Sequence, residues 1–261
     1  MSMTVRSIYR YPIKGLSAEP LDRVMLTVGQ CLPHDRRFAI AHAATHIDPE
    51  KPQWLRKTHF FMLMRDEKLA KLHTRFDDTS GMVTIEHAGR RLLSASITDA
   101  AGRKALEAFF ADFLKDHPDG PPRIVEAPGH AFSDAQKKPN ATTDKYISLV
   151  NLASVRELEQ AAQAPLDPLR FRANVYFDGA PAWSELDWVG SQISLGKARL
   201  RIISPITRCP ATAVNPYTAE RDLDVPRLLR DTFAHNLMGV YGEVVGDGRV
   251  VMSDALLLPG L

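Results

Sequence analysis

The sequence predicts a mostly β fold of the α+β class, and three features carry that reading. Short runs rich in β-branched, aromatic and aliphatic residues recur along the chain. Gly and Pro punctuate them. Only three segments show helical periodicity. The 261 residues allow one large or two small domains, at roughly 100–200 residues each.

In the first half, strands are expected over Thr4 to Tyr11, Leu21 to Val28, Arg37 to Ala43, Met82 to His87 and Arg91 to Ile97. Ala88-Gly89 between the last two reads as a hairpin turn. The first helix follows, because Leu106, Phe109, Phe110, Phe113 and Leu114 recur on one helical face and Thr98 or Asp99 can cap its start. The stretch Asp116 to Pro122 ends it and is the expected linker, dividing the chain into domains at 1–115 and 116–261. A polar loop runs from Phe132 to Lys145, centred on Lys137-Lys138-Pro139-Asn140.

In the second half, Tyr146 to Val150 reads as a strand, and Asn151 caps a helix over Leu152 to Ala162. Phe171 to Phe177 is another expected strand, and Gln192 to Leu195 with Ala198 to Ile203 form a hairpin around Gly196-Lys197. Asp224 to His235 carries Pro226 in its first turn and reads as a helix. Tyr241 to Val245 and Arg249 to Met252 flank Gly246-Asp247-Gly248, a second expected hairpin.

Composition excludes several functions. A net charge of +2 is no electrostatic footprint for nucleic acid or an acidic membrane. Two cysteines, Cys31 and Cys209, form neither a disulfide framework nor a clustered zinc site. Without a secretory signal or a long apolar span, the expectation is a reduced, cytoplasmic protein. Phosphate-loop, dinucleotide, nucleophile-elbow and paired-histidine zinc motifs are all missing from the chain. His42 and His46 share an i, i+4 spacing, but they are read as solvated loop histidines.

The most informative stretch runs from Ile203 to Pro216. Cys209 stands at the end of a strand, between Arg208 and Pro210, in an electropositive turn. An adjacent guanidinium favours thiolate, which is both a nucleophile and a soft metal ligand. A small buried cysteine that merely fills space is an equal reading of these residues alone.

Phe171-Arg-Ala-Asn-Val, Trp183-Ser-Glu-Leu-Asp-Trp-Val-Gly190, Thr207-Arg-Cys-Pro-Ala-Thr and Gly239-Val-Tyr-Gly-Glu-Val, in that order, resemble the MOSC domain, named for the C-terminal part of molybdenum cofactor sulfurases. Tyr9-Arg-Tyr-Pro-Ile-Lys-Gly-Leu16 and Asp35-Arg-Arg-Phe-Ala-Ile40 are similar to the β-barrel domain that precedes MOSC in two-domain members, such as the mitochondrial amidoxime reducing component and its bacterial relatives. The resemblance covers almost the whole chain. It implies an N-terminal β-barrel-like domain followed by a β-barrel MOSC domain with peripheral helices.

It also implies a molybdenum cofactor held between the domains. The family's T/S-R-C motif falls on Thr207-Arg208-Cys209, which makes Cys209 the metal ligand and catalytic residue. Matching motifs place Lys14, Gly15, Arg37 (with Arg36 as the alternative by one register), Arg172, Asn174, Thr207 and Arg208 against the pterin and its phosphate. Asn151 reads first as a helix cap and is a weaker cofactor candidate. Trp183 and Trp188 are expected in the core or a domain seam, and Glu185 and Asp187 as rim charges. Tyr241 is ordinarily a core residue, although the family pattern lets it close the site.

The implied activity is reduction of N-hydroxylated compounds: hydroxylamines, N-hydroxylated bases or amidoximes. At the level of the family the resemblance also carries detoxification and pyridoxal phosphate binding. Because no cysteine-rich iron–sulfur segment follows MOSC before Leu261, electrons are expected from a separate flavin or iron–sulfur protein. A non-catalytic cofactor carrier and a Cys209 persulfide carrier stay open as alternatives.

Overall fold

The computed structural model describes residues 2–115, 120–135 and 145–258. Residues 116–119 of the expected linker and the Lys137–Asn140 centre of the polar loop lie outside the described residues. Along the chain the strands are β1 (Met3–Arg10), β2 (Glu19–Leu21), β3 (Arg23–Leu26), β4 (Phe38–Ala41), β5 (His73–Phe76), β6 (Met82–His87) and β7 (Arg90–Ser96). Helix α1 (Ala100–Phe113) starts where the Asp99 carboxylate accepts from the Gly102 N–H, and β8 (Arg123–Glu126) follows. Then come β9 (Ile147–Asn151), α2 (Leu152–Ala162), β10 (Val175–Asp178), β11 (Gln192–Leu195) and β12 (Ala198–Thr207). Helix α3 (Val225–Phe233), β13 (Leu237–Gly246), β14 (Gly248–Val251) and β15 (Ala255–Leu257) complete the described elements. The mostly β expectation holds, with three α-helices among the described residues.

Seven strands close a barrel in the order β10-β9-β13-β12-β11-β15-β1, and β1 returns to β10. Its inward face follows the two-residue period of a strand: on β12, Ala198, Leu200 and Ile202 are buried while Arg199 and Arg201 face solvent. Val5, Leu149, Phe177, Leu200 and Val240 meet inside. Fully burying a side chain such as Phe177 is worth about 1.5–3 kcal/mol.

The barrel is not contiguous in sequence. Strand β1 closes it from the N-terminus, with Val5 opposite Phe177 and Ile8 opposite Val175. A second core packs α1 over β5, β6 and β7, with Phe38, Ile85, Leu106, Phe110 and Ile124 buried in it. The chain crosses between the two cores around Tyr11–Leu16, so residues of that crossing lie at the seam.

Several local expectations differ from the structure. The single strand over Leu21 to Val28 is split at Asp22, and β3 pairs with β14, Val24 opposite Val250. Consequently Gly246-Asp247-Gly248 does not close a hairpin. The Val28 N–H donates to Asp247 at 2.7 Å and draws β14 onto β3 instead. The strand over Phe171 to Phe177 begins only at Val175, after a 3-10 turn at Pro168–Phe171 that ends with Arg172 in the left-handed region. His42 is buried against the Phe61 ring at 4.4 Å and His46 is exposed, so the i, i+4 spacing makes no pair.

Candidate functional site

A cavity of about 510 Å³ opens between the two cores. Its barrel wall is built around Cys209. Strand β12 ends at Thr207, and the Arg208 backbone N–H donates to the Asn236 carbonyl at 2.8 Å. The Arg208 guanidinium is buried and donates to the carbonyls of Phe171 at 2.7 Å and Met238 at 2.9 Å. On the other side Pro210 begins a 3-10 turn in which the Cys209 carbonyl accepts from the Thr212 N–H at 3.0 Å and hydroxyl at 2.9 Å. Two rigid anchors therefore hold a half-buried thiol whose sulfur has no hydrogen-bond partner among the described residues.

The charged wall is built around Tyr11. The Arg36 guanidinium lies over its ring at 4.6 Å and that of Arg172 at 4.4 Å. Arg36 is pinned further by an ion pair to Asp35 and by donation to the Arg172 carbonyl at 2.9 Å. Burial opposes the Arg36 charge, but the adjacent Asp35 carboxylate raises its pKa above the ordinary guanidinium value. Arg172 has no such partner. Burial pushes its pKa down, and its guanidinium finds no acceptor among the described residues. Burial drives the Tyr11 phenol up to about 12, so it stays neutral between the two cations.

Both arginines adopt left-handed backbone, at φ 50° for Arg36 and φ 51° for Arg172. For a residue with a Cβ that conformation costs about 1–2 kcal/mol. Such strain persists where surrounding contacts over-determine it, and it concentrates at functional sites. Here the sandwich around Tyr11 supplies those contacts.

Lys14 completes this wall. It is buried, donates from Nζ to the Phe132 carbonyl at 2.9 Å and pairs with Asp134. Burial pulls its pKa below the usual lysine value. Gly15, at φ +86°, passes so close to the Phe61 carbonyl that a Cβ would sit 3.1 Å from its oxygen. Among the described residues, seven lysine and arginine side chains line the cavity against two aspartates, Asp35 and Asp134, each already paired. Arg170 is also neutralised, by a two-pronged bond to Asp222 at 2.6 and 2.7 Å. The remaining cations give the cavity a positive field that suits an anion.

The structure sorts the expected residues. Cys209, Lys14, Gly15, Arg172, Asn174, Thr207 and Arg208 all line the cavity. Asn174 is buried, accepts from Ser148 and donates to the Tyr9 carbonyl, so its side chain mainly ties β9 to β1. Arg37 does not line this cavity. Its Nε donates to Glu126 at 2.7 Å, and Arg36 takes the place beside Arg172. Asn151 is outside as well: its carboxamide oxygen accepts from the Ala153 N–H as the cap of α2.

Glu185 is no rim charge. It is fully buried, accepts from the Ser154 hydroxyl at 2.9 and 3.0 Å and from the Asn151 amide at 3.3 Å, and burial raises its pKa. Asp187 is exposed as expected. Trp188 packs on Phe177 at 5.3 Å, and Trp183 meets Phe233 at 4.5 Å.

Sequence reasoning left out Asp35, Lys57, Lys145 and the Met62–Leu63–Met64 segment, all of which line the cavity. Tyr11 and Asp35 stood inside the quoted motifs. No pattern in the chain marks the 62–64 segment. Tyr241 does line the cavity, and burial pushes its phenol above the ordinary value.

Comparisons with known proteins bear on this arrangement. Residues 129–256 match the family model of the MOSC domain, and residues 2–117 that of the MOSC N-terminal beta barrel domain. The chain is 36% identical over 223 residues to the molybdenum cofactor sulfurase of Drosophila ananassae, covering 81% of this chain and 28% of that protein. With the molybdenum cofactor sulfurase of Caenorhabditis briggsae it shares 24% identity over 239 residues, 87% of this chain and 31% of the relative. The chain thus spans less than a third of the length of these curated relatives. Among solved structures, the YuaD protein of Bacillus subtilis aligns with a TM-score of 0.45 and 14% identity, covering 98% of this chain and 94% of that one.

Proposed function

The chain belongs to the MOSC family, with a MOSC N-terminal β-barrel domain followed by a MOSC domain, and from that premise we propose that it is a molybdenum-cofactor-dependent oxidoreductase. Its substrates in this reading are N-hydroxylated compounds, namely hydroxylamines, N-hydroxylated bases and amidoximes. A separate flavin or iron–sulfur protein supplies the electrons. The observation that carries the reading is one cavity with the anchored Cys209 sulfur on one wall and the Arg172 guanidinium on the other, neither with a hydrogen-bond partner among the described residues.

That donor set fits the cofactor's chemistry. A metal centre already held by a dithiolene needs one further soft ligand, and the Cys209 thiolate is one. A phosphate suits a guanidinium fork, and Arg172 presents one to the cavity, with Arg36 and Lys14, each tied to an aspartate, fixed beside it. When bound, the cofactor supplies the two-electron chemistry that removes oxygen from an N–OH group. The chain's own residues bind and orient it. Arg208, held by the carbonyls of Phe171 and Met238, keeps the Cys209 turn in place. Tyr241 remains a neutral hydrogen-bond donor on the cavity wall, because burial disfavours its phenolate.

Turnover tests the reading. Protein purified from a host that makes the cofactor is expected to reduce benzamidoxime with an artificial electron donor, and Cys209→Ala to lose that activity. Stoichiometric molybdenum without turnover points to a carrier, and persulfide on Cys209 without metal points to a sulfur carrier. Either result overturns the reductase.

A further inference from the structure

The cavity has an apolar flank that the anion-binding groups do not use. Met62, Leu63 and Met64 line it from the second core. This segment is a tight turn closed on itself. The Asp66 carboxylate accepts from the Met62 N–H at 2.8 Å, and the Asp66 N–H donates to the Met62 carbonyl at 2.8 Å.

From the barrel side, Arg221 clasps the same turn. Its Nη2 donates to the carbonyls of Met64 at 2.8 Å and Leu63 at 3.1 Å, and to Glu67 at 3.1 Å. Its Nη1 donates to the Pro210 carbonyl at 3.2 Å, on the residue that follows Cys209. One guanidinium therefore ties the turn that follows Cys209 to the apolar turn, and Leu63, Met64 and Cys209 line the same cavity. Because Arg221 satisfies its donors on carbonyls and Glu67, it contributes to the placement of this wall and not to the anion site.

We propose that the Met62–Leu63–Met64 turn, clasped by Arg221, is the substrate-facing wall, and that it selects N-hydroxylated compounds with an apolar or aromatic body over small polar ones. This rests on the reductase reading of the same cavity. Two thioethers and an isobutyl group offer an adaptable apolar surface that packs well on aromatic rings. Nothing on that wall rewards a small, strongly hydrated molecule. Arg221 is a positioning residue: it touches the turn's backbone and leaves the reacting centre to others.

The test uses protein as purified from a cofactor-producing host, carrying [methyl-13C]methionine. Signals of Met62 and Met64 are assigned by Met62→Leu and Met64→Leu. Titration with benzamidoxime is expected to move both methyl resonances saturably, while hydroxylamine leaves them in place. Arg221→Ala is expected to weaken benzamidoxime binding by roughly tenfold, in line with what one apolar contact is worth in a specificity pocket. A loss of affinity for benzamidoxime that exceeds any loss for hydroxylamine is the expected signature of the wall, whereas an equal loss for both compounds, as a general structural defect gives, overturns it. Met64→Ser provides an independent variant with the same expected loss.

Methyl signals that ignore benzamidoxime, or that respond equally to hydroxylamine, overturn the proposal. So does undiminished benzamidoxime binding in Arg221→Ala. Shifted methyl signals in a protein that reduces neither compound support the wall while refuting the reductase, so the two failures are distinguishable.

Discussion

Arg172→Ala separates the site's two requirements, stability and anion binding. The wild-type guanidinium stacks on Tyr11 at 4.4 Å and has no acceptor among the described residues. Losing a desolvated cation–π contact costs about 1–2 kcal/mol. The same change removes a buried charge, the cause of its lowered pKa, and that relief offsets part of the loss. The net change in stability is expected within about 1 kcal/mol, a shift in Tm of about 2–4 °C for a chain this long.

The effect on binding is larger. A hydrogen bond to a charged group is worth about 1.5–3 kcal/mol, so loss of the fork from a phosphate should raise the cofactor's Kd by roughly 10- to 150-fold. Arg172→Gly adds a control, because glycine relieves the strain of φ 51° while removing the same guanidinium. It is expected to be at least as stable as Arg172→Ala and equally poor at retaining cofactor. Molybdenum and pterin are measured after dialysis, alongside thermal melts. Wild-type retention in both variants refutes the placement of the phosphate. A fall in Tm beyond roughly 10 °C would instead make Arg172 a structural residue.

Arg37→Ala is expected to leave cofactor content unchanged, since Arg37 bonds Glu126 outside the cavity; a loss matching that of Arg172→Ala would return it to the site. Glu185→Ala should destabilise the protein by roughly 2–4 kcal/mol by stranding the Asn151 and Ser154 donors, and a Tm unchanged from wild type contradicts this. Because burial raises the folded Glu185 pKa above its ordinary 4.5, the wild type should lose stability as pH rises from that value through the folded one. Glu185→Gln should lack that loss in urea melts, and identical pH slopes for the two proteins would count against it. Burial raises the Cys31 thiol from 9.0 to about 11. At about pH 8 its alkylation should therefore run roughly 100-fold slower than that of an unperturbed thiol, and labelling at the unperturbed rate would place Cys31 in open solvent.

How far the sequence disclosed this arrangement depended on the range of the interactions. Helix α2 and its Asn151 cap were legible because capping and periodicity act within a few residues. The Ala88-Gly89 turn, with φ 50° and 75°, was legible for the same reason. Gly246-Asp247-Gly248 misled because its local turn chemistry is overruled by the pairing of β14 with β3, more than two hundred residues away. Arg172 misled in another way: the alternation in Phe171-Arg-Ala-Asn-Val suggests a strand, while the chain makes a 3-10 turn that aims the guanidinium at Tyr11. Arg36 and Arg37 differ by one position, and only the fold decides which of them meets Arg172. Asn151 and Glu185 form a buried polar pair whose partners come from separate elements, so neither residue alone reveals it. Arg221 carries no local signal, because its meaning lies in carbonyls on the other core.

The most direct measurement of the central claim is molybdenum and pterin content in protein purified from a cofactor-producing host, for the wild type and for Cys209→Ala. The account predicts stoichiometric metal and pterin in the wild type and loss of the metal in the variant. Metal retained at the wild-type level without the Cys209 sulfur, or a wild-type protein holding neither metal nor pterin, would contradict it.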